Sequence, residues 1–184
     1  METEKFKIKC FKDTDIKIYI GYSKDKNQKI AKFFEFDNNP KTSRYISKIK
    51  VFTSCEIETC EFKIKLYSKG KDGGPGKQIN DEEIIGNAIE GKNWTKIDIS
   101  KHHIKCPKQG LFIVLKWLTT EENLYEYSGH NKDRKKRYTY STYAPQFGTI
   151  PTESEFLWVY ENETWEKAVK NKISILRRYE GKYN

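Results

Sequence analysis

Residues 94–118, WTKIDISKHHIKCPKQGLFIVLKWL, decide the fold class. Ile97 and Ile99 alternate with Lys96 and Asp98, the period of two expected of a strand with one buried face. A connection containing Pro107 and Gly110 follows, and then residues 111–115 run on with no polar side chain. Such a run belongs deep in a sheet, covered on both faces. Nothing in it supplies a nucleophile, a general base or a phosphate cradle.

The same alternation recurs on either side. Phe6, Ile8 and Cys10 alternate with Lys5, Lys7 and Lys9, Phe62, Ile64 and Leu66 with Lys63, Lys65 and Tyr67, and Ile173 and Ile175 with Ser174 and Leu176. Residues 16–20, 31–36, 45–52, 138–143 and 156–160 read as further strands. Turn chemistry separates them at Asp37-Asn38-Asn39-Pro40, at residues 71–76 and at Gly86-Asn87. The best helical spacing, Trp165 with Ala168 and Val169 in residues 164–172, has no sustained apolar stripe. About ten strands without helices predict an all-β fold, an antiparallel two-sheet jelly-roll sandwich. No repeat or linker divides the chain, so residues 1–184 are expected to form a single domain.

Composition bounds the rest. Only 36% of residues are hydrophobic, but 14% are aromatic, and a few large rings supply much of the buried area of a polar chain. The patterned apolar positions argue against disorder. The net charge is +9, from 35 basic and 26 acidic residues. A basic balance favours nucleic acid, anionic lipid or acidic polysaccharide as a partner, whereas lysines spread over the whole chain equally suit a solvated surface. No window reaches the ~20 apolar residues of a membrane span. The start, METEKFKIKCF, lacks the apolar core of a signal peptide. The expected location is therefore extracellular or at the cell surface if an export signal has been trimmed, and cytoplasmic otherwise. Asn93-Trp94-Thr95 and Asn162-Glu163-Thr164 match glycosylation sequons.

Cys10, Cys55, Cys60 and Cys106 allow three disulfide pairings. The spacing of Cys55 and Cys60 fits a cross-strand pair flanking a tight hairpin; free buried thiols are the other reading. Zinc is disfavoured, because Cys10 and Cys106 stand alone without matched spacing. His102 and His103, adjacent on an extended segment, point to opposite faces and do not readily share a metal. No metal and no cofactor are expected.

Residues 62–118 carry a family likeness. FKIKLY (62–67) leads into a loop with Asp72-Gly73-Gly74-Pro75-Gly76, then Ile84-Ile85, then WTKIDIS (94–100) and GLFIVLKWL (110–118). This resembles the C-terminal jelly-roll region of secreted proteins of Bacteroidetes-type bacteria labelled carboxypeptidase-like regulatory-domain proteins. Lys116 departs from the acidic residue that related strands often carry. The resemblance implies a jelly roll and no peptidase activity.

Several constellations need weighing. Residues 70–77 superficially look like a phosphate-binding loop, but Gln78 follows Lys77 where Ser or Thr is required, and no helix opens there. The acidic pairs Asp13/Asp15, Glu121/Glu122 and Glu153/Glu155 are too sparse for calcium and undefined as glycosidase carboxylates. One dense basic cluster, Lys132, Arg134, Lys135, Lys136 and Arg137, precedes Tyr138, Tyr140 and Tyr143. Basic residues beside aromatics suit single-stranded nucleic acid, or an acidic glycan whose sugar faces stack on rings. Of the four tryptophans, Trp117 and Trp94 read as packing residues; Trp158 and Trp165, flanking the turn at residues 161–163, read first as core residues too, with one of them exposed as a candidate sugar platform in the second reading. The expectation is a non-enzymatic binding or accessory module. Its ligand is expected to be an extracellular carbohydrate held by Trp158, Trp165, Tyr138, Tyr140 and Tyr143. Polyanion or nucleic-acid binding through residues 132–137 is the alternative, with nucleic acid the weaker partner, and a structural protein–protein module is the third reading.

Overall fold

A computed structural model describes residues 11–23, 28–36, 45–130, 137–150 and 157–168. The chain is all-β among these residues, with eleven strands and only short 3₁₀ turns. In chain order they are β1 (Ile18–Ile20), β2 (Lys29–Phe34), β3 (Lys48–Lys69), β4 (Pro75–Gln78), β5 (Ile84–Asp98), β6 (Leu111–Trp117), β7 (Leu124–His130), β8 (Arg137–Tyr143), β9 (Gln146–Thr149), β10 (Leu157–Glu161) and β11 (Thr164–Lys167). Nine form one curled antiparallel sheet in the order β1-β9-β3-β6-β2-β10-β11, with β4 and β5 also paired to β3, while β7 and β8 form a separate two-stranded ribbon. The strands expected at residues 6–10 and 173–176 lie outside the described residues.

The 22-residue β3 organises the sheet. It pairs with β5 along nearly its whole length, but Cys55 faces Gly91 and Thr59 faces Ile89, so three residues of β3 oppose Glu90 alone. This bulge bends the strand. On one side of it Thr53 and Ser54 pair with β9; on the other, residues 62–68 pair with β6. The two halves close on each other through rings: Phe147 of β9 lies 5.1 Å from Phe62 and 4.7 Å from Trp117, centroid to centroid. Phe62, Ile64, Leu66, Leu111 and Trp117 are buried in the main core there.

The apolar run of residues 111–115 becomes β6, flanked by β3 and β2. Leu111 and Trp117 of this strand face the main core, and its alternate residues, Phe112 and Val114, join Ala31, Phe33 and Trp158 in a second cluster. The strand is therefore covered on both sides, as its composition requires. Gly110, at φ +85°, turns the chain into it with no room for a side chain against the Phe34 carbonyl and the Phe33 ring.

One local expectation is corrected, and one weak helical spacing is resolved as a strand. Cys55 and Cys60 do not flank a hairpin: both lie on β3, either side of the bulge, as free buried thiols with Sγ atoms 2.6 Å apart. Residues 164–167, whose spacing looked most helical, form β11, because Asn162 and Glu163 both adopt positive φ, 49° and 62°, and turn β10 back on itself. Two such residues make the turn whose twist matches a hairpin.

No helix among the described residues is long and apolar enough to cross a membrane.

Candidate functional site: a tyrosine ribbon and an aromatic sheet face

The aromatic residues singled out in the sequence fall on two parts of the fold. The first is the β7–β8 ribbon. Its root is fixed by Asn123, which is buried: the Glu61 N–H donates to the Asn123 side-chain oxygen at 2.9 Å, and the Asn123 amide donates to the carbonyls of Glu61 at 2.7 Å and Leu118 at 2.9 Å. The Ala144 N–H closes the other side on the Asn123 carbonyl at 2.8 Å. Just beyond, the Trp117 indole N–H donates to the Pro145 carbonyl at 2.6 Å. The ribbon therefore leaves the sheet from a rigid base.

Its register sorts the side chains. Tyr125 faces Thr142, Tyr127 faces Tyr140 and Gly129 faces Tyr138, so these six share one side. The rings form a ladder: Tyr125 to Tyr127 at 6.2 Å, Tyr127 stacked on Tyr140 at 5.5 Å and 24°, and Tyr140 to Tyr138 at 6.4 Å. Tyr125 is half-buried at the foot, where burial raises its phenol pKa and Gln146 hydrogen-bonds it. The outer three rings are 45%, 42% and 44% exposed for Tyr127, Tyr140 and Tyr138. Exposed large rings in a contiguous row are unusual on a monomer surface and mark interaction sites.

Tyr143 has a different place. It lies on the opposite side of the ribbon and packs edge-on to Tyr22 at 5.1 Å, which in turn meets Trp117 at 6.4 Å. It anchors the ribbon rather than lining the ladder. Arg137 opens β8 next to Tyr138 and is exposed. Lys132, Arg134, Lys135 and Lys136 lie outside the described residues. Sequence reading missed Tyr125 and Tyr127, although Tyr125-Glu126-Tyr127-Ser128 carries the same alternation used elsewhere.

The second surface is the outer face of the sheet. Trp158 is only 6% exposed, packed edge-on to Phe112 at 6.2 Å. The glycine-rich loop at residues 70–76 closes over it: a Cβ added at Gly74 would lie 2.9 Å from the indole. The loop predicted to be a turn is one, and its glycine serves close packing on a ring. Trp158 thus offers no free face to a sugar, which removes it as a platform. Trp165 is half-buried and meets Tyr160 edge-on at 5.1 Å. Trp158 and Trp165 belong to the nine-stranded sheet, and Tyr138, Tyr140 and Tyr143 to the ribbon.

The histidines and acids form no obvious centre. The His102 Nδ1 lies 2.5 Å from a Glu82 carboxylate oxygen, and His103 sits at φ 48° just beyond the 3₁₀ turn. Among the described residues no three His, Cys, Asp or Glu side chains are grouped to hold a metal ion. A small cavity of about 130 Å³ lies beside β3, lined by Lys63, Lys65, Gln78 and Glu82 among others. Comparison with known proteins yields no matching family model, curated protein or solved structure.

Proposed function

We propose that this protein is a non-catalytic binding module that recognises an extracellular carbohydrate through the tyrosine ladder of the β7–β8 ribbon. The observation that carries this reading is the row of three exposed, mutually supported rings, Tyr127, Tyr140 and Tyr138, on a ribbon with a fixed root. Tyrosine presents a rigid ring with only two side-chain torsions and a polar tip, so it gives contact area and a hydrogen bond at low entropic cost. Stacked cross-strand rings are also partly ordered before a ligand arrives. The curled sheet, folded at the β3 bulge, is read as a jelly-roll sandwich of the kind that residues 62–118 resemble. Fold analogy alone does not assign a ligand, so the reading rests on the ladder.

One observation favours a second reading, a polyanion or single-stranded nucleic acid. The connection between the two ribbon strands carries Lys132, Arg134, Lys135 and Lys136, directly before Arg137 and Tyr138. Titration against neutral glycans, acidic glycans and single-stranded nucleic acid, each at low and high salt, separates the two. Retention of a glycan at high salt supports the first reading. Binding confined to polyanions and lost steeply with salt, as counterion release requires, supports the second. Silence throughout contradicts both and leaves a protein-binding module.

A further inference from the structure

The outer face of the sheet carries a row that ligand-free packing does not account for. Lys63 pairs with Lys116 across β3 and β6, and Lys116 pairs with Lys29 across β6 and β2. Lys65 lies two residues along β3 from Lys63, on the same side. Like charges directly opposite each other on neighbouring strands destabilise a sheet. Lys63 is relieved by an ion pair with Glu83. Among the described residues no carboxylate forms an ion pair with Lys29, Lys65 or Lys116, although Asp81, Glu82 and Glu83 line a cavity together with Lys63 and Lys65.

The surroundings hold two of these cations in place. The Lys29 ammonium sits 3.8 Å from the centroid of the Tyr160 ring, and the Lys65 ammonium donates to the Gln78 side-chain oxygen at 3.1 Å. The Tyr67 hydroxyl donates to that same oxygen at 3.3 Å. Burial, together with Lys116 and Lys65, pulls the Lys29 ammonium below its usual range. Buried charges call for a partner of opposite sign.

We propose that Lys29, Lys65 and Lys116 form a binding site for a tetrahedral oxyanion, a sulfate or phosphate group. Three ammonium groups supply charge-assisted donors for its oxygens, and Tyr160 and Trp165, next in the same cross-strand row, offer ring edges to whatever carries the group. The group would reside on a sulfated sugar or on a phosphate ester, which share this chemistry. The site lies on the nine-stranded sheet rather than the ribbon, so it stands or falls independently of the ladder.

The test is thermal unfolding of the full chain in sodium sulfate and sodium phosphate against sodium chloride at matched ionic strength. A saturable rise of the midpoint is expected, falling by half or more in the Lys29→Met/Lys116→Met variant, which keeps the aliphatic stems. Lys50→Met, an exposed lysine on the other half of β3, should respond like the parent. In chloride alone, Lys116→Met should melt at or above the parent temperature, because a like-charge contact is gone. Sulfate also stabilises proteins generally by exclusion from their surface, so equal shifts in parent and double variant would overturn the proposal. Absence of any shift beyond chloride would do the same. If Lys29→Met/Lys116→Met does not fold, Lys116→Gln alone gives the same comparison. Parallel titrations with a sulfated monosaccharide and a nucleoside monophosphate then show which carrier the site prefers.

Discussion

Asn123 and Glu61 are joined twice: the side-chain amide of Asn123 accepts from the Glu61 N–H and donates to the Glu61 carbonyl. One buried side chain thereby satisfies both backbone groups of a residue near the bend of β3, and it is the same residue from which the tyrosine ribbon starts. Asn123→Ala would leave buried donors and acceptors unpaired, at about 1–3 kcal/mol for such a group. A loss of about 2–3 kcal/mol in urea unfolding is expected. Asn123→Asp, which can accept from the N–H but not donate to the carbonyl, should lose as much or more. A change below about 0.5 kcal/mol, the size typical of surface substitutions, would show that the clamp is not formed.

The contact of Gly74 with Trp158 leads to a second expectation. A methyl group at Gly74 would press on an indole that already has Phe112 beside it. Gly74→Ala should therefore cost about 1–3 kcal/mol, as overpacking does, and shift Trp158 emission toward that of a solvated indole. A variant with parental stability and emission would mean that the loop does not seal this ring.

Much of the architecture was legible in the sequence, and the reasons are local. The unbroken apolar run at residues 111–115 demanded a strand covered on both sides, and β6 is that strand. Period-two alternation located parts of β3 and β5, and the further strand readings at residues 16–20, 31–36, 138–143 and 156–160 met β1, β2, β8 and β10. What the sequence concealed is non-local. The Cys55/Cys60 spacing fitted a tight hairpin, yet residues 53–61 carry β3 through a bulge that only the pairing with β5 makes visible. Trp158 read as core before platform and is core, but the loop that covers it, at Gly74, is distant in sequence. Tyr127 was passed over although it alternates with Glu126 and Ser128, because its cross-strand partner Tyr140 becomes visible only in the pairing of β7 with β8.

The thiols give a pH dependence with a definite sign. Burial first, then the hydrogen bond and charge of Cys55, raise the pKa of Cys60 well above the ordinary thiol range. A raised folded-state value means that the native state holds the proton more tightly than the unfolded chain. That contribution is fully present below the unfolded thiol pKa of about 8.5 and is lost as pH climbs above it. Under reducing conditions, unfolding free energy should decline from about pH 8.5 upward, and Cys60→Ala should flatten the decline. An identical slope in parent and variant would contradict the assignment. Both buried thiols should also resist alkylation until the chain unfolds, while half-buried Cys106 reacts before either of them.

The ladder itself should matter little to stability. Tyr127 and Tyr140 are a single exposed cross-strand pair, worth about 0.2–1 kcal/mol. Replacing them should leave the fold and the core tryptophan signals intact, as near-ultraviolet circular dichroism would show. Global unfolding of the double variant would mean that these rings serve the fold rather than a ligand.

The most direct test of the binding reading is the affinity of Tyr127→Ala/Tyr140→Ala for the glycan that the parent binds best, measured by calorimetric titration at high salt. Truncating a central aromatic contact typically costs 2 kcal/mol or more, so affinity should fall by about tenfold or beyond. Parental affinity in a folded double variant would contradict the tyrosine ladder as the site of recognition.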